Sequence, residues 1–259
     1  MLRTLPQRAF SYLGHLSPSR SSATASDDSR LTSTTAIATH NLDIVLGAEP
    51  YPFQALNSVD LTVRRGHIHM IVGPSGAGKT TLLLAVAGLL TPTRGEVTVL
   101  GQPLAALSRT QLDDFRRRHL GIMFQESNLL RSLTALENVE TALLVKGWRA
   151  NAARQEAKRV LAQVMLEDRG THLPRQLSGG QQQRVAVARS LAGGPDLLIA
   201  DEPTASLDSV SGERVMASIH HLVKQQGTTA LIATHDSRIL PFADVVVELS
   251  DGMLLDQHC

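Results

Sequence analysis

Residues 68–90, IHMIVGPSGAGKTTLLLAVAGLL, decide the fold. Ile68 to Val72 is a short apolar run of the kind that makes a buried strand, and it feeds directly into Gly73-Pro74-Ser75-Gly76-Ala77-Gly78-Lys79-Thr80. Thr80 to Leu90 then reads as an apolar helix stopped by Pro92. Strand, glycine-rich loop and helix in that order match G-x-x-x-x-G-K-[ST] at every fixed position. The glycines let successive backbone N–H groups converge on phosphate oxygens at a helix N-terminus. Lys79 is placed to neutralise β- and γ-phosphate charge, and the Thr80 hydroxyl to ligate Mg²⁺. A chance glycine turn would lack the flanking strand and helix.

Further β-type runs recur at Leu197–Ala200, Ala230–Thr234 and Val245–Leu249, with helical segments between them. That alternation predicts an α/β fold with a mostly parallel sheet. The middle of the chain is more purely helical. Ser108 with Gln111 makes a capping box, and Leu112 and Phe115 share the helix face that follows. A second helix is expected over Asn151 to Leu166, and Gly193, Gly194 and Pro195 close a third. Residues 105–191 therefore read as a helical insertion in the α/β core.

Leu197-Leu-Ile-Ala-Asp201-Glu202 ends a buried strand in two carboxylates. At the C-terminal edge of a parallel strand beside a phosphate loop, Asp201 suits a metal's water shell, and Glu202 suits a general base acting on water. The competing reading is a strand end with two solvated acids.

Composition narrows the rest. The 259 residues are 42% hydrophobic and 19% charged, with 25 basic against 24 acidic side chains, so no nucleic-acid-coating surface is indicated. A 3% aromatic content argues against stacking platforms for single strands, and one cysteine, Cys259, excludes a disulfide framework or a cysteine-built zinc site. The longest apolar stretch falls short of the roughly 20 residues that span a bilayer. Residues 1–35 carry Arg3, Arg8, Arg20, Arg30 and eight serines but no lysine, which fits either a targeting segment or a disordered tail. A single domain is expected over 36–259.

Leu177-Ser178-Gly179-Gly180-Gln181 resembles the signature sequence of ABC ATPases. The order of motifs is also similar to theirs: phosphate loop, Gln125 in "GIMFQE", signature, "LLIADEP", "ASLD" and Thr234-His235. The resemblance covers about 220 of the 259 residues. It implies the P-loop NTPase fold of ABC type, with an antiparallel β part beside the core sheet and an inserted helical subdomain. "RRRHLGIMFQESNLL", "LTALENVE" and "LSGGQQQRVAVARSL" look most like the exporter ATPases of lipoprotein release, macrolide export and heterocyst-glycolipid export.

By that resemblance the nucleotide site comprises Gly73 to Thr81 (Thr81 included), with Ser178, Gly179, Gly180 and Gln181 reaching the nucleotide of an opposite subunit. Asp208 matches a loop that communicates across the dimer, a role compatible with helix capping. Gln125 and His235 match the glutamine-loop and switch residues, so Glu202, His235 and Gln125 form the expected catalytic set. Thr80, Gln125 and Asp201 form the expected metal set. ATP and Mg²⁺ are the implied ligands. The implied partners are a second copy, a separate membrane permease and a periplasmic adaptor, with no nucleic acid. The implied location is the cytoplasmic face of the inner or plasma membrane, or an organelle if the N-terminal segment is a targeting signal. The function expected is ATP-driven export; the alternative is a soluble ABC-type ATPase uncoupled from transport, such as one for cluster assembly.

Two departures stand out. Val45 or Leu46 falls where the family offers an aromatic for adenine, with Tyr51 and Phe53 only later. His67 stands where a glutamate is common. The 24 residues after His235 leave no room for an added regulatory domain.

Overall fold

Near-continuous apolar runs along consecutive short strands demand a sheet covered on both faces. The computed structural model shows this directly. It describes residues 34–47, 51–205 and 207–258. The readings placed on residues 1–33 and on Cys259 lie outside the described residues.

The chain begins with β1 (Thr35–Leu46), β2 (Phe53–Val59), β3 (Thr62–Arg64) and β4 (Ile68–Val72). After the phosphate loop come α1 (Lys79–Val86), β5 (Arg94–Val99), β6 (Gln102–Pro103), α2 (Arg109–His119) and β7 (Leu120–Met123). Three helices follow: α3 (Ala135–Val145), α4 (Ala150–Gln163) and α5 (Gly179–Leu191). The chain closes with β8 (Leu197–Asp201), α6 (Ser209–Gln226), β9 (Thr229–Thr234), β10 (Val245–Ser250) and β11 (Met253–His258).

Two sheets result. The core sheet runs β11-β10-β4-β9-β8-β7, parallel except for β11. The other runs β2-β1-β5-β6, with β3 also on β1, and is antiparallel throughout. Along β8 and β9 the side chains alternate between two hydrophobic clusters. Leu198, Ala200, Ala230 and Ile232 face the helices α3 to α6. Leu197, Ile199, Leu231 and Ala233 face α1 and the antiparallel sheet. The core sheet is thus the middle layer of three.

Two expectations are corrected. α1 ends at Val86, not near Pro92, because Gly88 takes φ +64° and closes the helix. Gly88 N–H donates to Ala85 O and Leu89 N–H to Leu84 O, the paired bonds of a Schellman ending. The span 105–191 is also not helical throughout: Leu120–Met123 pairs in parallel with Leu197–Ala200 as the edge strand β7. Gly121 permits this, since a Cβ there would lie 2.1 Å from Ser190 O at the end of α5. The second expected helix spans Ala150–Gln163 and the capping box of Ser108 and Gln111 is formed.

Candidate functional site

Four adjacent parallel strands, β4, β9, β8 and β7, point their C-termini the same way. Their register aligns Val72 with Thr234, Asp201 with Ala233 and Met123 with Ala200. The residues just beyond are the phosphate loop, His235, Glu202 and the segment holding Gln125. Topology thus gathers at one sheet edge groups far apart in sequence, where ligands of α/β sheets bind.

The phosphate loop is shaped by its glycines. Gly73 and Gly78 have φ +153° and +101°, and a Cβ would lie 2.0 Å from Leu249 O at the first and 2.5 Å from Ala55 O at the second. The loop is therefore pressed onto β10 and β2 at both ends. Gly76, between them, faces open space. Pro74, Ser75 and Gly76 are exposed and Ala77 is buried, with Gly252 N–H donating to Ala77 O. Helices α2, α3, α5 and α6 begin with side-chain caps from Ser108, Thr134, Ser178 and Asp208. α1 begins at Gly78 with no side-chain cap. Its first N–H groups are left for an external anion. Lys79 is buried, its Nζ donating to Gly73 O and Pro74 O at 2.8 and 2.9 Å.

Thr80 Oγ1 donates to Asp201 Oδ2 at 2.7 Å, joining α1 to β8. Asp201 Oδ1 is buried without a hydrogen-bond partner. Burial raises the pKa of Asp201 above the ordinary carboxylate value; the Thr80 hydroxyl works against this, Glu202 adds to it and Lys79 opposes it. A buried, half-satisfied carboxylate beside a hydroxyl fits a cation. Among the described residues no three His, Cys, Asp or Glu side chains form a metal cage.

Glu202 is buried and held at φ +49°, a left-handed conformation that costs a glutamate roughly 1 kcal/mol or more. Its N–H donates to Ala233 O, and its Oε2 accepts from Thr234 Oγ1 and His235 N–H, both at 3.3 Å. His235 Nδ1 lies 2.6 Å from Glu202 Oε1 and, carrying the ring proton, donates to it. The His235 side chain is otherwise 60% exposed. Sequence reading missed how the surrounding loops are joined. Asp236 Oδ2 accepts from Thr204 Oγ1 at 3.2 Å, and Arg238 bridges Asp236 to Ser209. Only the polar run from His235 to Arg238 hinted at this.

Gln125 is exposed and lines a groove of about 1020 Å³. Leu173, Pro174, Gly179 and Leu207 also line it, so the groove reaches from the end of β7 to the start of α5. Ser178 caps that helix, accepting from Gln181 N–H, while Gln181 Oε1 accepts from Ser178 N–H. Ser178 and Gly179 are exposed. Asp208 caps α6 through Ser211 N–H, as a capping aspartate should. Of the adenine candidates, Val45, Tyr51 and Phe53 are all exposed, and Leu46 pairs with Phe53 across β1 and β2.

A protein-family profile described as ABC transporter matches residues 56–205. The chain belongs to the ABC transporter ATP-binding family. Within the family it is 43% identical over 208 residues to the lipoprotein-releasing system ATP-binding protein LolD of Zymomonas mobilis, covering 80% of this chain and 90% of that one. It is 40% identical over 221 residues to the ABC transporter ATP-binding protein YbbA of Escherichia coli, covering 85% and 97%. The dimeric cassette MJ0796, solved in a post-hydrolysis state with ADP and Pi, superposes with a TM-score of 0.79 at 37% identity, covering 86% of this chain and 97% of that one. This ABC ATPase chain binds ATP and couples its hydrolysis to transport. These relatives lend no support to an ATPase uncoupled from transport. Among the described residues no helix is long and apolar enough to cross a membrane. ABC cassettes of this kind work as dimers with membrane permeases.

Proposed function

We propose that this ABC ATPase chain drives export or extraction of a substrate through a separate permease, with Glu202 as general base. The observation that carries the reading is the buried, strained Glu202 carboxylate gripped by His235 at the strand edge that holds the phosphate loop. In a nucleotide-bound state Lys79 exchanges its two loop carbonyls for phosphate oxygens. The free N–H groups of the loop and the first turn of α1, within residues 73–81, orient the triphosphate. Thr80, Asp201 and Gln125 are the residues that would hold Mg²⁺, which when bound would supply positive charge to phosphate oxygens. Glu202 accepts the water's proton, and His235 keeps its carboxylate oriented.

In a dimer, for which the dimeric relative MJ0796 is the support, Ser178, Gly179, Gly180 and Gln181 of one subunit would reach the nucleotide of the other, with Asp208 near the same interface. ATP then favours the closed dimer through contacts the open state lacks, and hydrolysis removes them. Residues 124–191 form the helical unit in this reading. The lipoprotein-releasing relative favours export; a peripheral position on a membrane through the permease, and an adaptor beyond it, belong to the same proposal. The groove beside Gln125 is the surface assigned to the permease.

Glu202→Gln tests the base. It should keep ATP binding, lose about 10²-fold or more in kcat, and accumulate an ATP-dependent dimer in light scattering. Undiminished turnover would overturn the assignment. Recovery of an integral membrane protein with the tagged chain from detergent extracts tests the coupling.

A further inference from the structure

Two polar side chains of α5, the helix that begins at the Ser178–Gln181 signature, end on main-chain carbonyls of the strand-end loops. Arg189 Nη1 donates to Asn128 O at 2.7 Å and its Nη2 to Ser127 O at 2.8 Å. These carbonyls lie two and three residues beyond Gln125. Six positions earlier on the helix, Gln183 Nε2 donates to Pro203 O at 3.0 Å, the residue after Glu202. Gln183 is itself buried.

Burial lowers the pKa of the Arg189 guanidinium, which nonetheless stays a cation at any ordinary pH. A half-buried cation whose hydrogen bonds, among the described residues, go to neutral carbonyls adds little to the stability of a fold. Its fork geometry, however, fixes two adjacent peptide units at once. Those units need fixing, because Asn128 sits at φ +44°. The far end of the same loop is held by the fully buried Asn138, whose amide bonds Leu130 N–H and the carbonyls of Leu130, Leu133 and Thr134. At its C-terminal end α5 rests on β7 at Gly121 with no side chain between. The helix is therefore a rigid body joined to both loops that carry the proposed hydrolytic groups.

We infer that Arg189 is a positioning residue that gears the signature helix to Gln125, with Gln183 as its counterpart toward Glu202. The inference rests on the roles proposed above for Gln125 and the signature. A displacement of α5, when its N-terminus engages the nucleotide of the opposite subunit, is passed through Arg189 to residues 127 and 128. Placement of Gln125 at one nucleotide then depends on occupancy of the other.

The experiment compares the full chain with R189M, R189K, Q125A and R189M/Q125A in steady-state MgATP hydrolysis. Amide hydrogen exchange of residues 125–130 is followed in parallel. R189M should lower kcat about tenfold with KM within about twofold, and should lower it less than about twofold further in the Q125A background. R189K keeps the charge but cannot bridge both carbonyls, so it should fall between, and it carries the same comparison if R189M does not fold. Exchange at 125–130 should quicken in R189M. If Q125A is impaired yet the two losses multiply, or if exchange is unchanged, the gearing is overturned and the Gln125 reading stands. A wild-type kcat in Q125A overturns that reading, and the gearing with it.

Discussion

Asp201 shows how one side chain trades stability for a ligand. Its burial favours the protonated acid, so its folded-state pKa lies above the unfolded one. Such a group contributes stability below the unfolded pKa and loses it as pH rises through the folded value. At neutral pH the nucleotide-free protein therefore carries a penalty in the half-satisfied carboxylate. Asp201→Asn keeps an oxygen for the Thr80 hydroxyl and removes the charge. It should raise the thermal midpoint of the nucleotide-free protein, yet weaken the Mg²⁺-dependent gain in ATP affinity by roughly tenfold or more. Differential scanning fluorimetry and ATP titration with and without Mg²⁺ check the two signs. A lower midpoint without nucleotide would refute the account. The acidic pair itself was legible in sequence because it ends an apolar run. The strain at Glu202 was not, since φ follows from the β8–β9 register and not from residue type.

Elements were legible where their signals are local. The capping box of α2 and the strand before the phosphate loop follow from neighbours within three or four residues. β7 was hidden because four residues between a basic helix and a polar loop have no period of their own. They become a strand only by pairing with β8, more than seventy positions later. Arg189, Gln183 and Asn138 were equally silent, because their partners are carbonyls, which carry no side-chain signature. The end of α1 was misplaced for a related reason: Pro92 is the louder stop, but Gly88 is the one used. Gly88 combines φ +64° with contact to α2, where an added Cβ would lie 2.7 Å from Leu112 Cδ1. Gly88 O also accepts from Arg116 of that helix. Gly88→Ala should thus cost about 1–3 kcal/mol, part for the left-handed backbone and part for the clash. In chemical denaturation, Leu112→Ala should relieve part of the loss caused by Gly88→Ala. Strict additivity of the two would show that α1 and α2 are not coupled there.

At the scale of the molecule, the same central strand that feeds the phosphate loop also carries a buried histidine. His69 lies on β4, paired on both sides by β9 and β10, and is 2% exposed. Its Nε2 accepts Arg64 N–H at 3.2 Å, and its Nδ1 has no partner. Burial first, then the nearby His67 and Arg64, push its pKa down to about 4, against the opposing pull of Asp244. Above pH ~6.5 the ring is neutral folded or unfolded, and the stability is fully present. As pH falls from there toward 4 the unfolded chain takes up a proton that the native strand refuses, so stability is lost, by up to about 3 kcal/mol. Because β4 is interior to the sheet, the loss should appear in global unfolding and not as local fraying. Urea midpoints should therefore drop between pH 7.5 and 5. In His69→Gln, whose amide oxygen can still accept Arg64 N–H but does not titrate, much of that drop should vanish. Saturating MgATP at pH 5 should restore stability by mass action, since it binds only the folded strand–loop–helix. An equal drop in wild type and His69→Gln would move the acid sensitivity to other groups and leave β4 as a scaffold alone.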